Sequence, residues 1–462
     1  MNNHENYLSP FSWRYGSAEM RHIWSEVHKR RLWRRVWVCL AEVQAEYGLV
    51  QSEQAADLRL HINQVDIRRA FEIEGEIHHD LMAELKTFAE QSPLGGGILH
   101  LGATSTDIED NADALRIGQA LDLILVNLRS TLLSLAEKID HWAQTPLMGF
   151  THLQPAEPTT LGYRLAGYGQ DLLMDWEDLS RVRRGLRGKG FKGAVGTGAS
   201  YAELVGVENL DEFEAKLSKK LDLKYFPVTT QIYPRKQEYR ILSALAGLGS
   251  PLYKFAFDLR LLQSPPVGEL SEPFGLKQVG SSAMPFKRNP INAEKIDSLA
   301  RSLAQLPRIA WDNAAHSLLE RTLDDSANRR SILPEAFLIA DELLGVTQRI
   351  IDGLQVNETA IKRNLSVYGP FAGTECVLMA LSKTGADRQA MHERLRELTM
   401  TAWRSVESGQ ENPLTGLVSS EPYFLEFLNE EQLITLLDVS KYLGNAPERA
   451  KEMSQTIRGA VE

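Results

Sequence analysis

The longest regularity in the chain is a stripe of leucine and isoleucine within residues 110–142. Leu121, Leu125, Leu128, Leu132, Leu135 and Ile139 recur at alternating steps of four and three. A 3.5-residue repeat predicts a helix that lies along its neighbours in a bundle. At 1.5 Å per residue it would run on the order of 45 Å. Leu123, Ile124, Val126 and Leu133 make its other sides apolar too, so it must be surrounded, inside a large domain or by other subunits.

Comparable stripes predict helices over 159–184, 236–263 and 289–306. Another follows Pro334 through Phe337, Ala340, Leu344, Ile351 and Leu354. Five long helices in one central stretch imply an elongated bundle. The punctuation divides the chain into an N-terminal helical domain (1–101), a central long-helix bundle (102–355) and a smaller C-terminal helical domain (356–462). Strand signal is sparse and strongest at 224–233, where aromatic and β-branched residues cluster. The expected fold is all-α, a central bundle flanked by two smaller helical domains.

Composition narrows the function. A length of 462 residues suits about three domains, and 43% apolar with 24% charged residues is ordinary for a globular protein. A formal charge of -10 argues against nucleic acid as a partner. Cys39 and Cys376 cannot build a disulfide framework or a zinc site, which favours a reducing compartment. The start MNNHENYLSP lacks the basic and apolar regions of a signal peptide. No uninterrupted apolar run approaches the roughly 20 residues of a membrane helix. A cytoplasmic protein with no membrane partner is expected.

Two patterns carry less than they promise. Gly188, Gly190 and Gly193 form a GxGxxG, but no buried strand precedes it and no acidic partner closes a βαβ unit. The basic run 28–35 holds Trp33, yet Trp33, Trp37 and Leu40 repeat at helical spacing. That predicts a solvated helix face over an aromatic core stripe.

Four other segments carry candidate chemistry. GSSAMPFKRNP (280–290) puts two serines, Lys287, Arg288 and Asn289 just before a helix, with Pro290 suited to the first turn. Backbone N–H groups there would favour an anion. GFTHLQPAEPTT (149–160) sets His152 beside Thr151 in a loop held by Pro155 and Pro158. Its imidazole could serve as a general acid. In HLGATSTDIEDN (100–111), Thr106 and Glu109 have the spacing of a capping box, leaving Thr104 and Ser105 as spare hydroxyls. In LLERTLDDSANRR (318–330), Arg321, Ser326 and Arg330 suit a phosphate, unless a salt bridge to Asp324 or Asp325 absorbs Arg321.

Together these segments resemble the fumarase/aspartase superfamily, whose loop signature is GSSxMPxKxNP. GSSAMPFKRNP with TSTD, THLQPAEPTT and ERTLDDSANRR is similar to the adenylosuccinate lyase family within it. The likeness runs from SPFSWRYGSAEM through the helices after Arg330. It implies a homotetramer with active sites shared between three subunits, a small-molecule nucleotide substrate, and no metal or organic cofactor. The implied reaction removes fumarate from adenylosuccinate and from the equivalent succinyl carboxamide ribotide.

The implied roles follow from the likeness. Ser281 is the base, supported by Lys287 and loop amides, and His152 is the acid. Lys287 and Asn289 hold carboxylates, with hydroxyls from Thr104 and Ser105, and Thr151 adds a substrate contact. His79, followed by Asp80, supports the phosphate end, where Arg14, Tyr15, Gln231, Arg321, Ser326 and Arg330 meet the nucleotide. His78 and Lys295 stand where the family often has arginine, which keeps a donor but loses the bidentate fork. The competing readings are argininosuccinate lyase, a carboxymuconate cycloisomerase, or a catalytically idle scaffold protein.

Overall fold

Helices dominate, as their stripes require. The computed structural model describes residues 4–461, and the long helices are Glu26–Glu46, Ser105–His141, Leu161–Gly185, Lys236–Leu262, Asp324–Asp352 and Glu358–Lys383. The all-α expectation holds. The segment 289–306 becomes two helices, Ile291–Leu303 and Leu306–Ala315. The helix foreseen after Pro334 begins ten residues earlier and runs through that proline. The stripe residues Leu121, Leu128, Leu132, Leu135 and Ile139 are buried. The Ser105–His141 helix is long and apolar enough to cross a membrane by length and composition, a test that the core helix of a folded domain also passes.

The chain forms two compact units. The first gathers the residues up to Leu128 with Asp175–Ser250 and Ser298–Gly345. Its core packs Trp33, Val36, Trp37 and Leu40 of the Glu26–Glu46 helix with Leu81, Phe88, Ile108, Tyr201 and Phe213. The aromatic stripe is therefore internal, as expected. The basic face beside it is not wholly solvated. Arg30 and Arg34 are buried, and both donate to the buried Glu84 carboxylate, at 3.1 and 2.6 Å. Charges at this depth persist only when paired and hydrogen-bonded.

The 224–233 segment forms no strand. Its extended residues make one isolated bridge, Tyr225 to Gly188, and the chain then turns into the Lys236–Leu262 helix. The GxGxxG glycines sit in the same loop region, and Gly190 and Gly193 have positive φ. Gln237 fixes that loop by exchanging two 2.9 Å hydrogen bonds with the backbone of Arg187.

The second unit gathers Arg129–Met174, Pro251–Asp297 and Val346–Glu462. It contains a hairpin that the sequence pattern did not announce. Pro146–Thr151 pairs antiparallel with Gln154–Thr160, with Thr151 opposite Gln154. The two-residue connection is His152–Leu153, with φ of 53° and 60°. Positive φ at both central residues is the type I′ geometry that matches the strand twist. Gly149 lies at the register shift, where an added Cβ would meet the Glu157 carbonyl at 2.6 Å. In the C-terminal segment, Val377, Leu381, Met391, Leu414, Phe424 and Leu433 form a separate small core.

Candidate active site

The signature loop closes on itself. Asn289 donates through Nδ2 to the Gly280 carbonyl at 3.0 Å. A Cβ at residue 280 would lie 2.1 Å from the Lys287 carbonyl, so only glycine fits there. Inside this closure the Ser281 hydroxyl accepts from two backbone amides, Ala283 at 3.3 Å and Met284 at 3.1 Å. Two N–H groups aimed at one oxygen favour its alkoxide over its alcohol. The Lys287 and Asn289 side chains belong to residues that line a cavity of about 730 Å³ with Arg260, Phe274 and Phe286.

The helix that follows does not offer its amino terminus to a ligand. It begins at Ile291, with Glu294 N–H donating to the Pro290 carbonyl at 2.9 Å, so Pro290 precedes the first turn instead of lying in it. The free amides of Asn292 and Ala293 are taken by the buried Glu272 carboxylate, at 3.0 to 3.2 Å. The expected anion site is thus filled by the protein's own acid. Burial pushes the Glu272 carboxyl above its ordinary value, against the pull of those amides. Lys295 lies on the same helix and is partly exposed.

His152 is exposed at the tip of the hairpin, with Thr151 exposed beside it. It therefore occupies a turn position that tolerates few side chains, held there by strands on both sides.

A second cluster lies in the first unit, around a cavity of about 410 Å³. Eight of the foreseen residues line it: His78, His79, Asp80, Ser105, Gln231, Arg321, Ser326 and Arg330. Local structure explains their presence. His78 ends the Ile67–Ile77 helix in the left-handed conformation, and His79 caps the next helix, Asp80–Gln91, by accepting from Met82 N–H at Nδ1. With Nδ1 acting as acceptor, the imidazole proton sits on Nε2. Arg330 donates to Asp80 Oδ2 at 2.7 Å. Burial opposes the charge on Asp80, but the Arg330 guanidinium and the Leu81 amide hold its carboxyl below the usual range.

The residues around Arg321 satisfy both readings offered for them. Arg321 pairs with Asp325 at 2.9 Å and still lines the cavity. It precedes the Asp324–Asp352 helix, whereas Ser326 and Arg330 lie on it, so the three do not share one helix face. Arg14, Tyr15 and Thr104 do not line this cavity. Arg14 is exposed against Trp13, and Tyr15 packs on Phe11. Their neighbours Gly16 and Ser17 are tied by backbone N–H to Glu342 and Asp341.

Thr104 and Thr106 reverse their foreseen roles. Thr104 N–H donates to Asp107 Oδ2 at 3.0 Å, and the helix starts at Ser105. The Thr106 hydroxyl instead donates to the Gln231 carbonyl, so no capping box joins Thr106 to Glu109. Asp107 also takes the buried Lys189 ammonium.

Sequence reasoning missed the ionic floor of this cavity. Arg235 is buried between Asp110 and Asp325, at 3.1 and 2.7 Å. Arg329 holds Glu238 at 2.6 Å and Asp113 at 3.0 Å. Both arginines are neutralised and serve as scaffold. The adjacency of Arg329 to Arg330 was the one available signal, and helix geometry sends the two in different directions.

The chain is similar to known lyases along most of its length. A lyase family model matches residues 16–304, and a model for the adenylosuccinate lyase C-terminus matches residues 370–453. The chain is 39% identical to an adenylosuccinate lyase of Schizosaccharomyces pombe, covering 99% of this chain and 97% of that protein. The chain belongs to the adenylosuccinate lyase family. A second member, from Pyrococcus horikoshii, is 37% identical over 97% of this chain and 98% of its own length. The wider lyase scaffold is seen in the 3-carboxy-cis,cis-muconate lactonizing enzyme of Pseudomonas putida. That structure matches with a TM-score of 0.86 at 26% identity, covering 97% of this chain and 99% of the other.

Proposed function

We propose that this protein is a carbon–nitrogen lyase that eliminates fumarate from adenylosuccinate, leaving AMP, and from the corresponding succinyl-aminoimidazole carboxamide ribotide. Membership of the adenylosuccinate lyase family along nearly the whole chain carries the reading. The two amides on Ser281 and the arginine-bearing cavity support it.

In this reading Ser281 removes the proton next to a carboxylate of the succinyl group, giving an aci-carboxylate. Lys287 and Asn289 hold the carboxylates, with Thr104, Ser105 and Thr151 adding hydroxyl contacts, and their fixed dipoles stabilise the charge that develops. The electron pair then expels the nitrogen, which His152 protonates. Arg321, Ser326 and Arg330 meet the phosphate end with Arg14, Tyr15 and Gln231, supported by His79 and Asp80. His78 and Lys295 contribute single donors in place of a fork.

The fuller assignment is a cytoplasmic enzyme of purine biosynthesis, a homotetramer with shared active sites and no nucleic-acid or membrane partner. Exposed Tyr163 and Met174 on one helix, and Phe257 and Leu261 on another, are apolar surface that subunit contacts would cover. The free thiols of Cys39 and Cys376 suit a reducing compartment. The division at 1–101, 102–355 and 356–462 is retained as a proposal about folding units. A cycloisomerase would share the scaffold but would leave Arg321 and Arg330 without a phosphate. The test is incubation of the purified protein with adenylosuccinate: stoichiometric AMP and fumarate are expected, and their absence from folded protein overturns the reading.

A further inference from the structure

The start of the Ser105–His141 helix sends several side chains to the cavity in the first unit, and nearly all are accounted for. Thr106 is bonded to the Gln231 carbonyl, Asp110 to Arg235, and Asp113 to Arg116 and Arg329. Besides the Ser105 hydroxyl, Glu109 is the exception. It lies one helical turn beyond Ser105 on the same face and lines the cavity. Among the described residues it has neither a hydrogen bond nor an ion pair. Since Thr104 and Asp107 cap the helix, capping does not explain it.

The groups around Glu109 set its charge. Asp110 and Asp113 come from its own helix, and Asp80 from the helix Asp80–Gln91. Glu74 faces the cavity from the helix Ile67–Ile77, Lys29 from the helix Glu26–Glu46, and Arg116 from Glu109's own helix. His78 and His79 lie at the rim, while Arg321, Arg329 and Arg330 approach from the opposite side. Of these cations, Arg116, Arg321, Arg329 and Arg330 are already paired with aspartates, and Lys29 is paired with Glu26. Glu109 thus stands in a cavity whose fixed charges are mostly cancelled.

We propose that Glu109 is a specificity-determining residue for the nucleotide end, donating a hydrogen bond to a phosphate oxygen as the neutral acid and repelling the phosphate as the carboxylate. The proposal rests on the nucleotide reading above. Burial, with Asp80, Asp110 and Asp113 adding their negative charge, pushes the Glu109 carboxyl up to about 7. A phosphomonoester is a dianion above about pH 6, and its arrival raises the proton affinity of Glu109 further. Substrate and proton then enter together. Affinity is full below about pH 7 and falls as pH rises, because Glu109 must regain its proton before the dianion binds.

AMP serves as the probe, titrated calorimetrically at about pH 7.5 in two buffers of different ionisation enthalpy. The wild-type protein should take up about 0.7 more proton per AMP than Glu109→Gln, which keeps the donor but cannot titrate. With adenylosuccinate, the wild-type KM should rise about 20-fold from pH 6.5 to 8.5, and that of Glu109→Gln less than about threefold. Glu109→Ala should lose both the slope and the hydrogen bond. Absent AMP binding, or equal proton uptake in the two proteins, overturns the proposal. Failure to turn over adenylosuccinate while AMP binding still shows the proton difference would overturn only the reaction.

Discussion

Arg330 Nη2 lies 2.7 Å from Asp80 Oδ2, a contact that joins residues 250 positions apart. The cation at the proposed phosphate end is therefore held in place by an acid from another helix. Asp80→Asn keeps the shape and removes the charge. A charge-assisted bond of this kind is worth about 1.5–3 kcal/mol when sheltered. Arg330 is more than half exposed, so we discount this and expect KM for adenylosuccinate to rise about fivefold. The Asp80 carboxyl is held below its ordinary range, so the stability from this pair is present above the unfolded value near 3.9. It is lost only as pH falls through the lower folded value. Steady-state kinetics should show this Asn effect at pH 6; at pH 8 the defect should be larger, because losing the Asp80 charge also lowers the proton affinity of Glu109, and a wild-type KM at both pH values contradicts the prediction.

Ser281 accepts two amide hydrogen bonds, and its oxygen is the proposed base. Ser281→Ala should lower kcat by roughly 10²–10⁴-fold. Nucleotide binding should persist, because the arginine cavity is untouched. Product release by the variant near the wild-type rate would remove the base assignment.

His152 combines a turn position with a proposed acid, and substitutions can separate the two. Asparagine is favoured in type I′ turns, so His152→Asn should fold with an unchanged thermal midpoint. It cannot donate a proton at neutral pH, so kcat should fall roughly 10²–10⁴-fold, with the corresponding limb of the pH–rate profile lost. An unchanged profile would transfer the acid role, with His79 the next candidate.

Glu272 caps the Ile291–Leu303 helix with both carboxylate oxygens. Glu272→Ala should cost about 1–2 kcal/mol in denaturant unfolding, the usual range for a lost cap. Because burial raises its folded value, the ionised form is disfavoured in the fold. Its contribution therefore declines as pH rises from about 4.3 to that folded value and is flat beyond. A wild-type stability curve in which that slope is matched by Glu272→Gln would exclude this residue as its source.

The helices were legible because their cause is local: a 3.5-residue stripe needs no partner to be recognised. The signature loop was legible for the same reason, since Gly280, Ser281, Lys287 and Asn289 lie within ten residues and close on one another. The arginines near residue 325 pointed, by residue type, to the phosphate of the proposed substrate. Long-range partners were not legible. That Arg30 and Arg34 are buried depends on Glu84, about fifty positions away. The occupied amino terminus at Ile291 depends on Glu272, which nothing in its own segment marks as a cap. His152 lies in a hairpin turn because two short strands, one apolar and one rich in proline and polar residues, find each other, a pairing that neither strand's composition advertises. Sequence alone determined the helical class and the family, and it supplied the proposed reacting groups, since each is written in contiguous residues. Tertiary structure alone decided which charges are cancelled and which remain, because cancellation requires partners that only folding brings within 3 Å. Glu109 is where that difference matters most: by spacing it was half of a cap, and in the fold it is the unpaired acid of the cavity.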